Sequence, residues 1–196
     1  MNIETLEKYL YEDLNGKILS VEGDRDASKL VIYFQCDDWK EVDVTRRFRI
    51  ICDDVKEDNV RPCHSGEIEF CDTHPMLWKH NDDHGYLYYS SQADSRYELL
   101  GRLWEVHEKI FFGWRPLSEY INTHHAGQII EFCKGSNGLL AQGPKTLLKA
   151  YKEASNGHID TNYVPSYSPG GYYKALIFDN CFAICKSVNV EEVGID

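Results

Sequence analysis

Hydrophobic and polar positions follow two periods along this chain, and each change of period marks a new element. Ile3, Leu6, Leu10 and Leu14 recur at helical spacing, with Asn2 placed to cap the start and Asn15-Gly16 to end it. Lys17 to Val21 reads as a short strand. Leu30 to Phe34 is a continuous apolar run rich in β-formers, the pattern of a central strand buried on both faces. Val42, Val44, Phe48, Ile50 and Cys52 then alternate with Asp43, Thr45, Arg47 and Arg49, as in a half-buried strand. Arg46 interrupts this alternation, and predicts either a buried, paired arginine or a bulge. Short strands follow at Glu67 to Cys71 and at Tyr86 to Ser90.

The clearest helix comes next. Ser95-Arg96-Tyr97-Glu98 has the capping-box pattern, in which the serine hydroxyl and the glutamate satisfy amides at the helix start. Leu100, Leu103, Trp104, His107, Ile110 and Phe111 form one apolar stripe that ends near Gly113. Glu98 and Arg102, and Glu105 and Lys109, stand four apart in the favoured acid-first order. Pro116 opens a second, shorter helix through Ile121, and Pro144 a third through Ala154 that stops at Asn156-Gly157. Gln128 to Phe132 and Leu139 to Gln142 are weaker strand patterns. Tyr172 to Phe178 and Cys181 to Val190 close the chain as a hairpin turning at Asp179-Asn180.

Antiparallel strands first, helices mostly after, and a closing hairpin predict an α+β fold. It has a mainly antiparallel sheet, an N-terminal helix, a long central helix, two shorter helices and a C-terminal β-hairpin. A chain of 196 residues fits one domain, and no low-complexity tract or linker divides it. At that size a core forms without help from a disulfide or a metal. No segment has the length and apolarity of a membrane span, and Met1 to Gly16 lacks a signal peptide's basic start and apolar centre. Seven cysteines, an odd number, in such a chain read as reduced thiols, and the expected location is the cytoplasm. The net charge of -11 repels nucleic-acid backbones and anionic membranes and attracts basic proteins or cations.

Candidate chemistry concentrates between Cys63 and His84, where Cys63, His64, Cys71, His74, His80, Asp82 and His84 crowd together with Asp83 beside them. Thiolate, imidazole and carboxylate bind transition metals and move protons near neutral pH. Cys71 with His74 and His80 with His84 make two close pairs, the spacing used by zinc or another divalent metal. Only five residues separate the pairs, too few for the chain reversal a closed site needs, so no cofactor is the favoured expectation. A catalytic alternative has His80, Asp82 and His84 as a metal-dependent hydrolytic site or a base with its orienting partner. Asn-Asp-Asp-His-Gly is equally the composition of a plain turn.

Other patterns carry less. Gly138 to Thr146 approaches a phosphate-binding loop, but Pro144 shifts the lysine out of register and removes an amide that should face phosphate. Asp24, Asp26 and Ser28 begin like a calcium loop, with Lys29 where glycine is required. His107 on an apolar stripe reads as a hydrogen-bonded packing residue, and Cys181 with Cys185 as small buried ones. Arg46, Arg47 and Arg49, with Arg61 beyond, form the one basic concentration. They either hold a carboxylate or phosphate or neutralise Asp37, Asp38, Asp53 and Asp54 nearby.

Trp114, Tyr120, Tyr163, Tyr167, Tyr172 and Tyr173 fall in or near loops after the long helix, as residues that anchor a protein partner do. Acidity, size and loop aromatics together predict a non-enzymatic protein that binds a basic protein partner, an immunity or inhibitor protein being the specific form. Trp114, Tyr120, Tyr167 and Tyr172, with Arg46, Arg47 and Arg49, are the expected binding residues. The alternatives are the small hydrolase and an anion-binding module built on the arginines.

Overall fold

The computed structural model describes residues 3–10, 15–24, 26–122 and 132–195. In chain order its first elements are α1 (Ile3–Leu10), β1 (Lys17–Asp24), β2 (Lys29–Asp37), β3 (Thr45–Asp53), β4 (Glu57–Asp58), β5 (Cys63–His64) and β6 (Ile68–Cys71). A 3-10 turn at Pro75–Leu77 precedes α2 (Trp78–Asn81), β7 (His84–Tyr89) and α3 (Arg96–Phe111). A second 3-10 turn at Leu117–Glu119 is followed by β8 (Gly138–Pro144), α4 (Lys145–Ser155) and β9 (Thr161–Pro165). β10 (Lys174–Phe178), β11 (Cys181–Cys185) and β12 (Ser187–Ile195) complete the chain. The fold is α+β, and every strand pairing among the described residues is antiparallel. The described residues divide into two compact units, 1–74 with 172–196 and 75–171.

The first unit stacks two sheets, ordered β12-β3-β2-β1-β5 and β4-β11-β10-β6. Their apolar faces and α1 share one core, in which Leu6, Ile18, Ile32, Phe34, Phe48 and Ile50 meet Leu176, Phe178 and Ala183. Phe34 and Phe178 lie with ring centroids 6.3 Å apart across it. Each such leucine, isoleucine or phenylalanine contributes about 1.5–3 kcal/mol on burial. β2 is longer than its apolar run and alternates: Leu30, Ile32, Phe34 and Cys36 are buried, while Val31, Tyr33 and Gln35 are half-buried. Among the described residues it is therefore buried on one face and half-buried on the other, and not the doubly buried strand expected. β3 starts at Thr45, leaving Val42 exposed in the preceding turn.

Arg46 does not break the alternation of β3, since it takes the inward phase of Phe48 and Ile50 at the strand's end. It pairs in regular register with Cys36, and its guanidinium binds Asp38 and, at 3.0 Å, Glu192 while lying 4.4 Å from the Trp39 ring centroid. The bulge falls instead on the neighbouring strand, between Glu192 and Gly194. The run Cys181 to Val190, expected as one strand, divides at Lys186 into β11 and β12, which belong to different sheets. Lys186 amide binds Asp53 carbonyl at that crossing, and its ammonium binds Asp54. A pattern of apolar residues continues through the crossing because both strands bury side chains in the same core.

The second unit packs α4 on a sheet ordered β8-β7-β9, and α3 against α4. Ser95 caps α3 as expected, its hydroxyl accepting from Glu98 amide at 3.3 Å. The buried face is Leu99, Leu103, His107 and Phe111, so Leu99 joins the stripe and Trp104, 57% exposed, leaves it. The spacing 99, 103, 107 and 111 follows one helical ridge, and Trp104 lies a quarter-turn off it. The helix expected from Pro116 to Ile121 is only the short turn Leu117–Glu119, with Pro116 before it in extended conformation. The expected strand at Gln128 to Phe132 lies, apart from Phe132, outside the described residues, as do Asn2 and Leu14.

Candidate functional site

β7 is the middle strand of the second unit's sheet, and its alternation sets out the site. Leu87 and Tyr89 point into the core, whereas His84, Tyr86 and Tyr88 face the other way. Gly85 and Gly143 are cross-strand partners, and a Cβ at either would strike a ring: Tyr163 at 2.4 Å, Tyr120 at 2.8 Å. Glycine is required here because the tyrosines lie directly on the backbone. Tyr120 thereby becomes one wall of a cleft of about 400 Å³, to which His84, Tyr86, Glu119, Gln142 and Tyr167 also contribute.

Tyr167 is held beside His84 by backbone bonds that prolong the β7–β9 ladder. His84 amide donates to Tyr167 carbonyl and Ser166 amide to His84 carbonyl, both at 2.8 Å. The His84 and Tyr167 rings consequently stack, 4.7 Å between centroids and 17° from parallel. Tyr167 remains 58% exposed. His84 Nε2 donates to Lys79 carbonyl at 2.9 Å, which assigns the proton to that nitrogen and leaves Nδ1 as the acceptor of the neutral ring. Lys79 and Glu119 both line the cleft, and Glu119 lies 3.9 Å from the Arg115 guanidinium.

The acids of the loop have other duties. Asp82 Oδ2 accepts from Thr146 amide at 2.7 Å and Asp83 carbonyl accepts from Lys145 amide at 2.7 Å, so this turn satisfies the first amides of α4. The same bonds engage the Lys145 and Thr146 amides that a phosphate at this helix start would need. Asp24 is equally spent, its Oδ1 accepting from Asp26 and Ala27 amides in the β1–β2 turn.

Of the remaining candidates, Cys71 and His74 belong to the first unit, and His80 and His84 to the second. Among the described residues no three of His, Cys, Asp and Glu form a group able to hold a metal ion. Burial, followed by the neighbouring Glu69, pushes the Cys71 thiol up to about 12, and burial pushes the His74 imidazole down. Arg46 and Arg49 are engaged with Asp38, Glu192 and Glu191. Among the described residues Asp53 and Asp54 pair with Lys29, Lys56 and Lys186. Tyr172 OH donates to Asp72 at 3.0 Å in the first unit, and Trp114 is half-buried after α3. Two of the expected aromatics, Tyr120 and Tyr167, thus meet His84 at one cleft. Tyr86, Glu119 and Gln142 join them without having been singled out, and the paired glycines are the local signal that a ring covers the strand.

Comparison with protein-family models, with curated proteins and with solved structures finds no match to this chain.

Proposed function

We propose that this chain is a non-enzymatic binding protein for a basic polypeptide, an inhibitor or immunity protein being its specific form, and that the cleft beside His84 receives the partner. The observation that carries this reading is the stacked His84–Tyr167 pair, with Tyr120 and Tyr86 beside it and Glu119 at the margin. Aromatic faces next to a carboxylate suit a lysine or arginine side chain, which gains cation–π attraction over a ring and charge attraction at its end. The net charge of -11 supplies the long-range field that steers a basic protein inward. Hydrolysis is the weaker reading, because Asp82 and Nε2 of His84 are engaged by Thr146 amide and Lys79 carbonyl and so do not form a base with its orienting acid.

A pull-down at low salt should recover a basic polypeptide whose binding weakens as salt shortens the Debye length to about 8 Å. With that partner, Tyr167→Ala should leave association within about threefold and speed dissociation about tenfold or more, as loss of a hot-spot aromatic does. Tyr167→Phe should bind nearly as the parent chain. Recovery of no partner, with turnover of a generic ester or phosphate ester abolished by His84→Ala, would favour the hydrolase instead.

A further inference from the structure

Cys63 and Cys181 approach each other within the first unit, their sulfurs 3.7 Å apart. Cys63 lies on β5 and Cys181 on β11, so the contact joins a strand of one sheet to a strand of the other. The neighbouring backbone is already fastened at this point. Gly66 amide donates to Asp179 Oδ2 at 3.0 Å, Asp179 amide donates to Ser65 Oγ at 3.3 Å, and Ser65 amide donates to Gly16 carbonyl at 2.8 Å. A disulfide needs the two sulfurs to close from this contact to the covalent distance of about 2.05 Å. Cys63 is half-buried, whereas Cys181 is fully buried.

The geometry points to Cys63 and Cys181 as an oxidative modification site that forms a disulfide by exchange with a low-molecular-weight disulfide such as oxidised glutathione. Cys63 loses its proton to solvent, attacks one sulfur of the reagent and expels one thiolate, giving a mixed disulfide. Cys181, likewise deprotonated, attacks the Cys63 sulfur and expels the second thiolate. Two protein thiols are oxidised to one disulfide, and the reagent is reduced to two thiols. Burial, then the Cys181 thiol beside it, pushes the Cys63 thiol up, so the attacking thiolate is a minor form at neutral pH and exchange is slow. Cys52 and Cys185 also touch, but both are fully buried, which closes them to the reagent and makes them an internal control. The new bond spans residues 63 to 181, enclosing the whole sequence of the second unit in one loop, and it fastens β5 to β11.

The test incubates the full chain with mixtures of oxidised and reduced glutathione, blocks remaining thiols, and maps the peptides by mass spectrometry. A Cys63–Cys181 linked peptide is expected, with Cys52 and Cys185 blocked only after unfolding. Cys181→Ser should hold glutathione on Cys63 as a stable mixed disulfide, and Cys63→Ser should leave Cys181 unmodified in the native chain. The oxidised parent chain should melt roughly 5–15 °C above the reduced one, an increase reversed by dithiothreitol and absent from Cys181→Ser. Persistent mixed disulfide on Cys63 of the parent chain, linkage of Cys63 to another cysteine, or a melt unmoved by the bond would each overturn the proposal. The parent-chain map needs no variant to fold.

Discussion

Asp38 shows how a single buried acid holds the end of a sheet. Burial opposes its ionisation, but the amides of Lys40 and Glu41 and the Arg46 guanidinium donate to it, and together they hold its carboxyl below the usual carboxylate range. A depressed carboxylate binds its proton more tightly in the unfolded chain than in the folded one. Its stabilising contribution is therefore complete above the unfolded value of about 3.9 and is lost as pH falls toward the lower folded value. Asp38→Asn should accordingly destabilise the chain at neutral pH and flatten the acid limb of a stability–pH curve, as measured by urea unfolding at a series of pH values. An unchanged acid limb would mean that the Arg46 contact contributes nothing. The sequence identified Arg46 as out of pattern and placed Asp38 among its expected partners, but not Glu192, which lies 146 residues away and is brought alongside only by sheet register.

At the scale of elements, α3 carries the most decisive packing. His107 on its buried face is satisfied at both ring nitrogens: Tyr151 OH donates to Nδ1 at 2.7 Å, and Nε2 donates to Arg115 carbonyl at 2.6 Å. It is the hydrogen-bonded packing residue that its position on the stripe implied. Leu103→Ala should lose about 2–5 kcal/mol by opening a cavity, while Trp104→Ala one residue further should cost far less. Denaturant midpoints of the two variants check this, and equal losses would show that the packed face is wrongly assigned. The cap at Ser95 and the stop beyond Phe111 were legible because local hydrogen bonding decides them. The phase of the stripe was less so, since Leu99 and Leu100, or Leu103 and Trp104, satisfy an apolar pattern equally well until α4, packed against the helix, chooses between them.

For the whole molecule, the bonds that the side chains between Cys63 and His84 already make matter more than their crowding in sequence. Among the described residues no three of His, Cys, Asp and Glu form a group able to hold a metal ion, and Asp82 is bound to Thr146 amide. Treatment with a strong chelator should then leave the melting temperature within about 1 °C, since a structural zinc site contributes folding energy that chelation removes. Stoichiometric zinc in protein purified without a metal-affinity tag, together with unfolding on chelation, would refute this.

The amino-acid sequence by itself determined the α+β class, the long capped helix, the helix after Pro144, the closing turn at Asp179-Asn180 and the acidity of the chain. These rest on periodicity, capping and turn chemistry within a few residues of one another, and such interactions survive in any tertiary context. Tertiary structure alone decided that β11 and β12 part into different sheets, that Arg46 has Glu192 as a partner, and that Tyr120, Tyr167 and His84 share a cleft. It also decided that Cys63 faces Cys181. Each of these joins positions far apart in the chain, where the pattern of apolar residues states that a side chain is buried but carries no information about which neighbour it is buried against.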